Sequence, residues 1–226
     1  MLRAIVFDFD GVIANSEPLH FQAYRDTLAD RQITLTERDY YARYLGFDDV
    51  GAFQAVGADR GVAWTRADLD ALIARKAVRL EALERDVSVL FPGAADAIRR
   101  AAAAVPIAIA SGARGEEIAR VLQRENLARC FTAIVAAGDT RVSKPAPDPY
   151  LRAVALLRAA AGGTLDAAEC VAVEDSRWGL ASARAAGMRT VAVTNTYEQS
   201  ALADAADLVI PSLDVMDLDA LARLCL

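Results

Sequence analysis

Six short stretches of the 226-residue sequence are almost entirely apolar. They are 4–7 (AIVF), 107–110 (IAIA), 133–137 (AIVAA), 171–173 (VAV), 190–193 (TVAV) and 208–210 (LVI). Strands that face water on one side alternate apolar and polar residues, whereas continuous apolar runs of this length are typical of strands buried on both faces. Segments with helical spacing separate most of these runs, as in 115–126 (GEEIARVLQREN). The alternation predicts an α/β fold, with a parallel sheet covered by helices on both faces.

Residues 15–86 interrupt this alternation, because they contain no comparable apolar run. Helices are predicted there at 16–29, near 36–42, and at 49–60 and 66–85. The pattern indicates a helical domain of residues 15–86 inserted after the first strand, so that 1–14 and 87–226 form the α/β domain. An insertion at the carboxyl end of a strand lies above the crevice where open α/β sheets bind ligands. We therefore expect it to act as a lid.

Composition excludes several classes of protein. The net charge of −6 gives no sign of the basic face that nucleic-acid binding requires, so a small molecule is the expected partner. No apolar run approaches the roughly 20 residues of a membrane span, and the three widely spaced cysteines suggest neither a disulfide framework nor a zinc site. The single histidine, His20, excludes a metal site built from several histidines. We expect a monomeric cytoplasmic protein that binds neither nucleic acid nor membranes.

Polar residues follow four of the predicted strands. They are Asp8 and Asp10 after the first strand, Ser111 and Gly112 after the second, Lys144 in the segment after the third, and Glu174 and Asp175 after the fourth. Because the carboxyl ends of parallel strands meet at one edge of a sheet, we expect these groups to converge. Each has an ordinary explanation on its own, as a helix cap, a turn or a solvated lysine, but chance does not readily give all four in this order.

The chemistry that suits these groups is phosphoryl transfer. A carboxylate such as Asp8 is able to attack phosphorus, and a second one at Asp10 is able to protonate the leaving oxygen and later deprotonate water. Mg²⁺ prefers oxygen ligands, for which Asp8, the backbone carbonyl of Asp10 and Asp175 are candidates. Ser111 and Lys144 are suited to holding phosphoryl oxygens as charge shifts in the transition state.

The segments DFDGVI, SG, KP and ED, in this order, resemble the four motifs of the haloacid dehalogenase superfamily. The helical insertion resembles the small cap of its β-phosphoglucomutase-like phosphatases and mutases. The resemblance covers nearly the whole chain and implies a Rossmann-like core with an inserted helical cap domain. It also implies that Asp8 is the nucleophile, that Asp10 is the general acid and base, and that Mg²⁺ is the cofactor.

The resemblance implies roles for the other motif residues as well. Ser111, Gly112 and Lys144 are the implied phosphate-binding residues. The implied metal site consists of Asp8, Asp10 and Asp175, with Glu174 as a further ligand either directly or through water. The aspartate at position 10 favours a phosphatase or mutase, because the dehalogenating members lack this second aspartate.

The predicted cap carries the evidence that separates a phosphatase from a mutase. Gly46 matches the tight turn of the family's cap loop, and Lys76 and His20 match cap residues of the mutases. Leu45 and Asp49 stand where a mutase-like loop carries Lys and Arg, and the two acidic residues of this loop, Asp48 and Asp49, would repel a second phosphate. We therefore expect a Mg²⁺-dependent phosphatase acting on a small phosphomonoester, such as a sugar phosphate. The alternatives are a sugar-phosphate mutase and a non-catalytic protein that binds phosphorylated metabolites.

Overall fold

The computed structural model describes residues 1–45, 47–85 and 88–226, and the chain forms two compact units. Residues Met1–Asn15 and Val89–Leu226 form the first, which we call the α/β unit. Residues Ser16–Ser88 form the second, the helical unit. The helical unit thus begins one residue and ends two residues after the bounds expected from the sequence.

The α/β unit contains one sheet of six parallel strands in the order β3-β2-β1-β4-β5-β6. The strands are β1 (Ala4–Phe7), β2 (Ile107–Ala110), β3 (Phe131–Val135), β4 (Cys170–Glu174), β5 (Arg189–Val193) and β6 (Leu208–Ile210). The predicted α/β fold with a parallel sheet is confirmed. β3 begins two residues earlier than predicted, because this edge strand includes the exposed Thr132, which breaks the apolar run.

Helices accompany the strands and form most of the helical unit. In the α/β unit they are α5 (Ala94–Ala104), α6 (Gly115–Arg124), α7 (Asp148–Ala160), α8 (Arg177–Ala185), α9 (Gln199–Leu202) and α10 (Leu218–Leu224). In the helical unit they are α1 (Glu17–Ala29), α2 (Glu37–Asp39), a π-helical turn (Tyr40–Tyr44), α3 (Asp49–Asp59) and α4 (Arg66–Glu84). Among the described residues, no helix has the length and apolar character needed to span a bilayer.

The order of the strands determines where polar groups meet. β1 lies between β2 and β4, and its four residues are fully buried. The chain passes from β1 to β2 and β3 on one side and then crosses to β4 on the other side. Open α/β sheets bind ligands at the carboxyl ends of the strands beside such a reversal. The ends of β1 and β4 are therefore the expected position of the site.

The helical unit has its own apolar core. Phe21 and Tyr24 of α1 pack close to Tyr40, and Tyr24 also packs edge-on against Phe53 of α3 with their ring centroids 5.1 Å apart. α4 begins with a capping box in which Thr65 and Asp68 exchange hydrogen bonds. These contacts involve only residues of the helical unit, so its packing is specified within a single continuous stretch of sequence.

Candidate active site

Asp8 is the first residue after β1. Its backbone N–H donates to the carbonyl of Val173 in β4 at 2.9 Å, which holds this end of the chain against the neighbouring strand. Oδ1 of Asp8 accepts from the backbone N–H of Phe9 at 2.7 Å and lies 3.0 Å from Nζ of Lys144. Only 9% of Asp8 is exposed. The first predicted site residue is thus nearly buried and faces a cation.

Gly11 forms the turn that follows the two aspartates. Its φ of +76° lies in the left-handed region, and a Cβ there would lie 2.0 Å from Oδ2 of Asp175. Its carbonyl accepts a hydrogen bond from Nδ2 of Asn195 at 2.9 Å. A side chain at position 11 would displace the Asp175 carboxylate, so glycine allows the ends of β1 and β4 to approach each other.

Asp10 lies in the same turn and is partly buried. It forms an isolated β-bridge with Ala14. Its negative charge is one of the causes that raise the pKa of Asp8, although burial and Glu174 have the larger effects in that direction. The two aspartates of the first motif therefore interact electrostatically.

Glu174, the last residue of β4, is fully buried. Its Oε1 accepts hydrogen bonds from Nζ of Lys144 at 2.6 Å and from the hydroxyl of Tyr150 at 2.7 Å. Its Oε2 accepts from the backbone N–H of Asp175 and from Oγ of Ser176, each at 3.2 Å. Four donors therefore surround this one carboxylate.

The start of α8 makes room for the same carboxylate. Ser176 is the N-cap, and its Oγ accepts from the backbone N–H of Gly179 at 3.1 Å. A Cβ on Gly179 would lie 1.8 Å from Oε1 and 2.1 Å from Oε2 of Glu174. Any side chain at position 179 would overlap the carboxylate, so the first turn of the helix requires glycine at that position.

Lys144 links the polar ends of β1 and β4. It follows β3, precedes a cis peptide bond to Pro145, and its side chain is 14% exposed. Nζ contacts both Asp8 and Glu174 and lies 5.0 Å from the ring centroid of Tyr150. The interpretation of Lys144 as a solvated lysine is therefore wrong, because its ammonium is enclosed by two carboxylates and an aromatic ring.

Ser111 and Gly112 follow β2. Ser111 is 5% exposed, and its Oγ accepts from the backbone N–H of Ala113 at 3.1 Å. Because the oxygen acts as acceptor in that bond, the hydroxyl proton is directed elsewhere. Gly112 is exposed, and within the described residues a Cβ on it would meet no atom within 4 Å. Local packing therefore does not explain a glycine at this position.

The charges of the site are unbalanced. Burial raises the pKa of Asp8 to about 7, with Glu174 adding to the effect and Lys144 opposing it. Burial also raises the pKa of Asp175 to about 8, together with repulsion from Glu174 and Asp8. Burial disfavours the charge on Lys144, yet Asp8 and Glu174 outweigh it and raise the lysine pKa. Asp8, Glu174 and Asp175 thus lie close together, and the one ammonium group near them pairs with only two of them, which leaves an excess of negative charge.

A divalent cation fits this excess. Asp8, Glu174 and Asp175 each offer a carboxylate oxygen, and these atoms lie within 4.8 Å of one another. Oxygen donors without nitrogen or sulfur suit a hard cation such as Mg²⁺. Burial raises the pKa values of both Asp8 and Asp175, and repulsion from the neighbouring carboxylates adds to the effect, so a bound cation would favour their ionised forms. The donor set is therefore compatible with the predicted cofactor.

The predicted cap residues His20 and Lys76 meet inside the helical unit, while the predicted Gly46 lies outside the described residues. Lys76 is 1% exposed, and its Nζ lies 2.9 Å from Oδ1 of Asp49 and 2.8 Å from Nδ1 of His20. The ammonium also lies over the ring of Tyr24, whose hydroxyl donates to the same Asp49 oxygen at 2.6 Å. Lys76 is therefore buried among polar and aromatic partners rather than exposed to solvent on the surface of α4.

Sequence reasoning did not identify Tyr150, Ser176 and Gly179 as parts of the candidate site. Tyr150 lies in α7 at a position that the helical pattern gives to the apolar face. A tyrosine on the buried face of a helix is itself a signal of a polar contact, because a buried tyrosine hydroxyl normally finds a hydrogen-bond partner. The pattern does not indicate which partner, since Glu174 is 24 residues away in the chain.

Residues 2–187 match the haloacid dehalogenase-like hydrolases. The match covers most of the chain and includes all of the strand ends that form the candidate site. The chain belongs to this family. The resemblance that the four motifs indicate is confirmed.

Named relatives refine this assignment. Protein CbbY of Rhodobacter capsulatus is 33% identical over 237 residues, which cover 99% of each chain. The fructose-1-phosphate phosphatase YqaB of Escherichia coli is 30% identical and covers 84% of this chain and 95% of its own. A crystal structure of β-phosphoglucomutase from Clostridium difficile superposes with a TM-score of 0.84 at 19% identity and covers 100% and 97% of the two chains.

These similarities establish the enzyme class and the fold of the chain. The family match and the phosphatase relative confirm the predicted enzyme class, a phosphoric monoester hydrolase of the haloacid dehalogenase family. The β-phosphoglucomutase structure confirms the fold.

Proposed function

We propose that this hydrolase is a Mg²⁺-dependent phosphatase that cleaves a small sugar phosphate through an aspartyl phosphate on Asp8. The observation that carries the proposal is the nearly buried Asp8 carboxylate, which shares an oxygen cluster with Asp175 and lies 3.0 Å from Nζ of Lys144. A nucleophile, a candidate metal site and a cation for the phosphoryl group thus meet at one sheet edge. The relative that acts on fructose 1-phosphate supports the sugar-phosphate class.

The first half of the reaction transfers the phosphoryl group to Asp8. A carboxylate oxygen of Asp8 attacks phosphorus, and the bond between phosphorus and the sugar oxygen breaks. Asp10 donates a proton to that departing oxygen, which leaves as an alcohol. Lys144 and Ser111 hold phosphoryl oxygens while the charge shifts, and the raised pKa of Lys144 keeps its ammonium charged.

The second half releases phosphate. Asp10, which has lost its proton, takes one from a water molecule as the water oxygen attacks phosphorus. The bond between phosphorus and the Asp8 oxygen then breaks, which restores the Asp8 carboxylate and yields inorganic phosphate. Asp10 thus acts as acid and then as base, and the enzyme returns to its starting state.

Asp8, Asp175 and the backbone carbonyl of Asp10 would hold the cation, with Glu174 next to them. When bound, Mg²⁺ offsets the excess negative charge and stabilises charge on the phosphoryl oxygens. Asp8 would therefore be ionised and able to attack at neutral pH, despite a pKa of about 7 without the cation.

The contacts of Lys76 favour a phosphatase over a mutase. A mutase needs a cation for the second phosphate of its bisphosphate intermediate. The ammonium of Lys76 is already paired with Asp49 at 2.9 Å. A non-catalytic phosphate-binding protein has less support, because every residue type that the reaction requires is present in the candidate site.

Phosphate release from a panel of substrates tests the proposed function. The panel contains sugar monophosphates such as fructose 1-phosphate, sugar bisphosphates, nucleotides and an aryl phosphate. We expect release from sugar monophosphates with Mg²⁺ and none with EDTA. If hexose 1-phosphates were isomerised in the presence of a bisphosphate primer but not hydrolysed, the mutase would replace the phosphatase. Binding of phosphorylated metabolites with neither reaction would indicate the non-catalytic protein.

A further inference from the structure

The arrangement around Glu174 differs from that of the other acidic residues of the cluster. Glu174 is 0% exposed, whereas Asp8 and Asp175 are 9% and 6% exposed. An ionised carboxylate has about four lone-pair directions. The donors Lys144, Tyr150, Ser176 and the backbone N–H of Asp175 account for that number. Glu174 lies within the oxygen cluster by distance, yet its accepting capacity is already used by the protein.

Tyr150 contacts both members of the ion pair that Glu174 forms with Lys144. It is fully buried in the first turn of α7. Its hydroxyl donates to Oε1 of Glu174 at 2.7 Å, and its ring lies 5.0 Å from Nζ of Lys144. The same oxygen, Oε1, accepts from Lys144 at 2.6 Å. The tyrosine hydroxyl and the lysine ammonium therefore donate to the same oxygen, Oε1 of Glu174.

We propose that Tyr150 is a positioning residue of this phosphatase. Its hydroxyl holds Glu174 in the orientation that anchors Lys144 beside Asp8, and so keeps Glu174 from acting as a direct ligand of the cation. The inference rests on the proposed function, because it assigns to Lys144 the task of holding the transferring phosphoryl group. Asp8 and Asp175 then remain as the carboxylates available to Mg²⁺.

The geometry explains why the hydroxyl matters. Lys144 is a flexible chain whose ammonium lies between Oδ1 of Asp8 at 3.0 Å and Oε1 of Glu174 at 2.6 Å. Without the hydroxyl, Oε1 would keep only the lysine as a donor, while Ser176 and the Asp175 backbone N–H would still hold Oε2, so the Oε1 end of the carboxylate would gain room to rotate. The ammonium would follow that rotation. A shift of the ammonium weakens stabilisation that is needed only in the transition state.

Tyr150→Phe is the direct test, because it removes the hydroxyl and keeps the ring over Lys144. We expect kcat to fall about tenfold and KM to rise only several-fold, since the positioned charge contacts the bound phosphoryl group and acts most strongly in the transition state. Thr190→Val is the matched control. It removes another buried hydroxyl that contacts a carboxylate, Asp207 at 3.0 Å, at the start of β5 and away from the site. It should lower the thermal midpoint and leave kcat unchanged.

A double-mutant cycle separates positioning from general packing. The neutral amide in Glu174→Gln lacks the charge that pairs with the ammonium group and anchors it far more weakly, so the hydroxyl of Tyr150 should have little further effect in that background. We expect Tyr150→Phe to change kcat by less than about twofold when combined with Glu174→Gln. Losses of kcat that simply multiply in the double variant would show that Tyr150 acts independently of Glu174, and would overturn the proposal.

Two binding measurements give readouts without turnover. Calorimetry on the metal-free protein should find Mg²⁺ bound at least as tightly by Tyr150→Phe as by wild type, because the released Glu174 carboxylate gains access to the cation, and inorganic phosphate bound several-fold more weakly. A large loss of Mg²⁺ affinity, with kcat restored at saturating Mg²⁺, would assign the hydroxyl to the cation and overturn the proposal. Equal kcat and equal phosphate affinity in Tyr150→Phe and wild type would do the same. A wild type without phosphatase activity would refute only the proposed function, because phosphate binding still reports on Lys144.

Discussion

At the scale of single residues, the site depends on one ammonium group shared by two carboxylates. Nζ of Lys144 lies 3.0 Å from Oδ1 of Asp8 and 2.6 Å from Oε1 of Glu174. Because these groups are largely buried, dissolved salt screens their electrostatic interactions only weakly. Burial, with repulsion between the carboxylates, raises the pKa values of Asp8 and Asp175, so added positive charge favours their ionised forms. In the proposed mechanism, Lys144 both binds the phosphoryl group and stabilises the ionised Asp8.

Lys144→Met should reduce kcat by roughly 10²–10³-fold, the range measured when one electrostatic donor to a transition state is removed. The variant should still fold, with a lower free energy of unfolding, because methionine keeps most of the aliphatic chain but not the charge. Steady-state kinetics on the best sugar phosphate provides the measurement. Arg177→Met, which removes an exposed ion pair with Asp204, is the control and should leave kcat unchanged. A Lys144→Met enzyme with nearly wild-type kcat would contradict the account.

Gly179→Ala should damage the protein although it adds one methyl group. Its Cβ would lie 1.8 Å from Oε1 of Glu174, so the buried carboxylate or the start of α8 must move. Overpacking of this kind costs about 1–3 kcal/mol of unfolding free energy. Chemical denaturation measures it. Gly115→Ala in the first turn of α6 is the control, because its Cβ would meet Ala136 at an ordinary 3.6 Å. Equal stability of the two variants would refute this packing argument.

At the scale of secondary structure, the strands and their polar ends were predictable. Strands buried on both faces leave uninterrupted apolar runs, and a parallel sheet brings their carboxyl ends together, so Asp8, Lys144 and Asp175 were expected to meet. The start of β3 was missed because Thr132 faces outward at the sheet edge. Sequence patterns describe the faces of one element well and describe contacts between elements poorly.

The part of the site that escaped prediction consists of such contacts. Tyr150 and Glu174 lie on different elements, and their hydrogen bond depends on how α7 packs against the sheet. The burial of Lys76 in the helical unit is another example, because a lysine in a helix is normally solvated. Its partners Asp49 and His20 come from other parts of the unit, and no local pattern links them.

Lys76 and Asp49 form a buried ion pair in the helical unit, and removing either charge alone should destabilise the unit more than removing both. Lys76→Met leaves the Asp49 carboxylate without its cation and should cost about 3 kcal/mol of unfolding free energy, as when one partner of a buried pair is removed. Lys76→Met combined with Asp49→Asn should recover part of that loss. Thermal denaturation of the two single variants and the double variant measures the coupling. Additive losses would contradict the pairing.

At the scale of the whole molecule, each unit contains its own core. The α/β unit is discontinuous in sequence, whereas the helical unit is the single stretch Ser16–Ser88. The apolar cluster of the helical unit draws only on that stretch, from Phe21 to Leu72. The chain has a net charge of −6, and its proposed substrate is also an anion. Binding therefore requires positive charge within the site, which Lys144 and the proposed cation would supply.

The isolated segment 16–88 should fold without the α/β unit. Its cluster of buried residues, its capping box at Thr65 and its internal ion pair of Lys76 with Asp49 are all retained in that segment. We expect a helical circular dichroism spectrum and a cooperative thermal transition. Lys76→Met in the same segment should lower the midpoint. A segment that is helical but melts without cooperativity would show that the core is insufficient on its own.

The central claim is that Asp8 carries the phosphoryl group during turnover, and acid-quench trapping tests it most directly. The enzyme is mixed with Mg²⁺ and a substrate whose phosphoryl group is radioactive, quenched in acid, and analysed for label bound to protein. The account predicts label that hydroxylamine releases, as expected of an acyl phosphate, and that maps to the peptide containing Asp8. Asp8→Asn should retain no label and release no phosphate. Phosphate release by Asp8→Asn at a rate close to wild type would contradict the account.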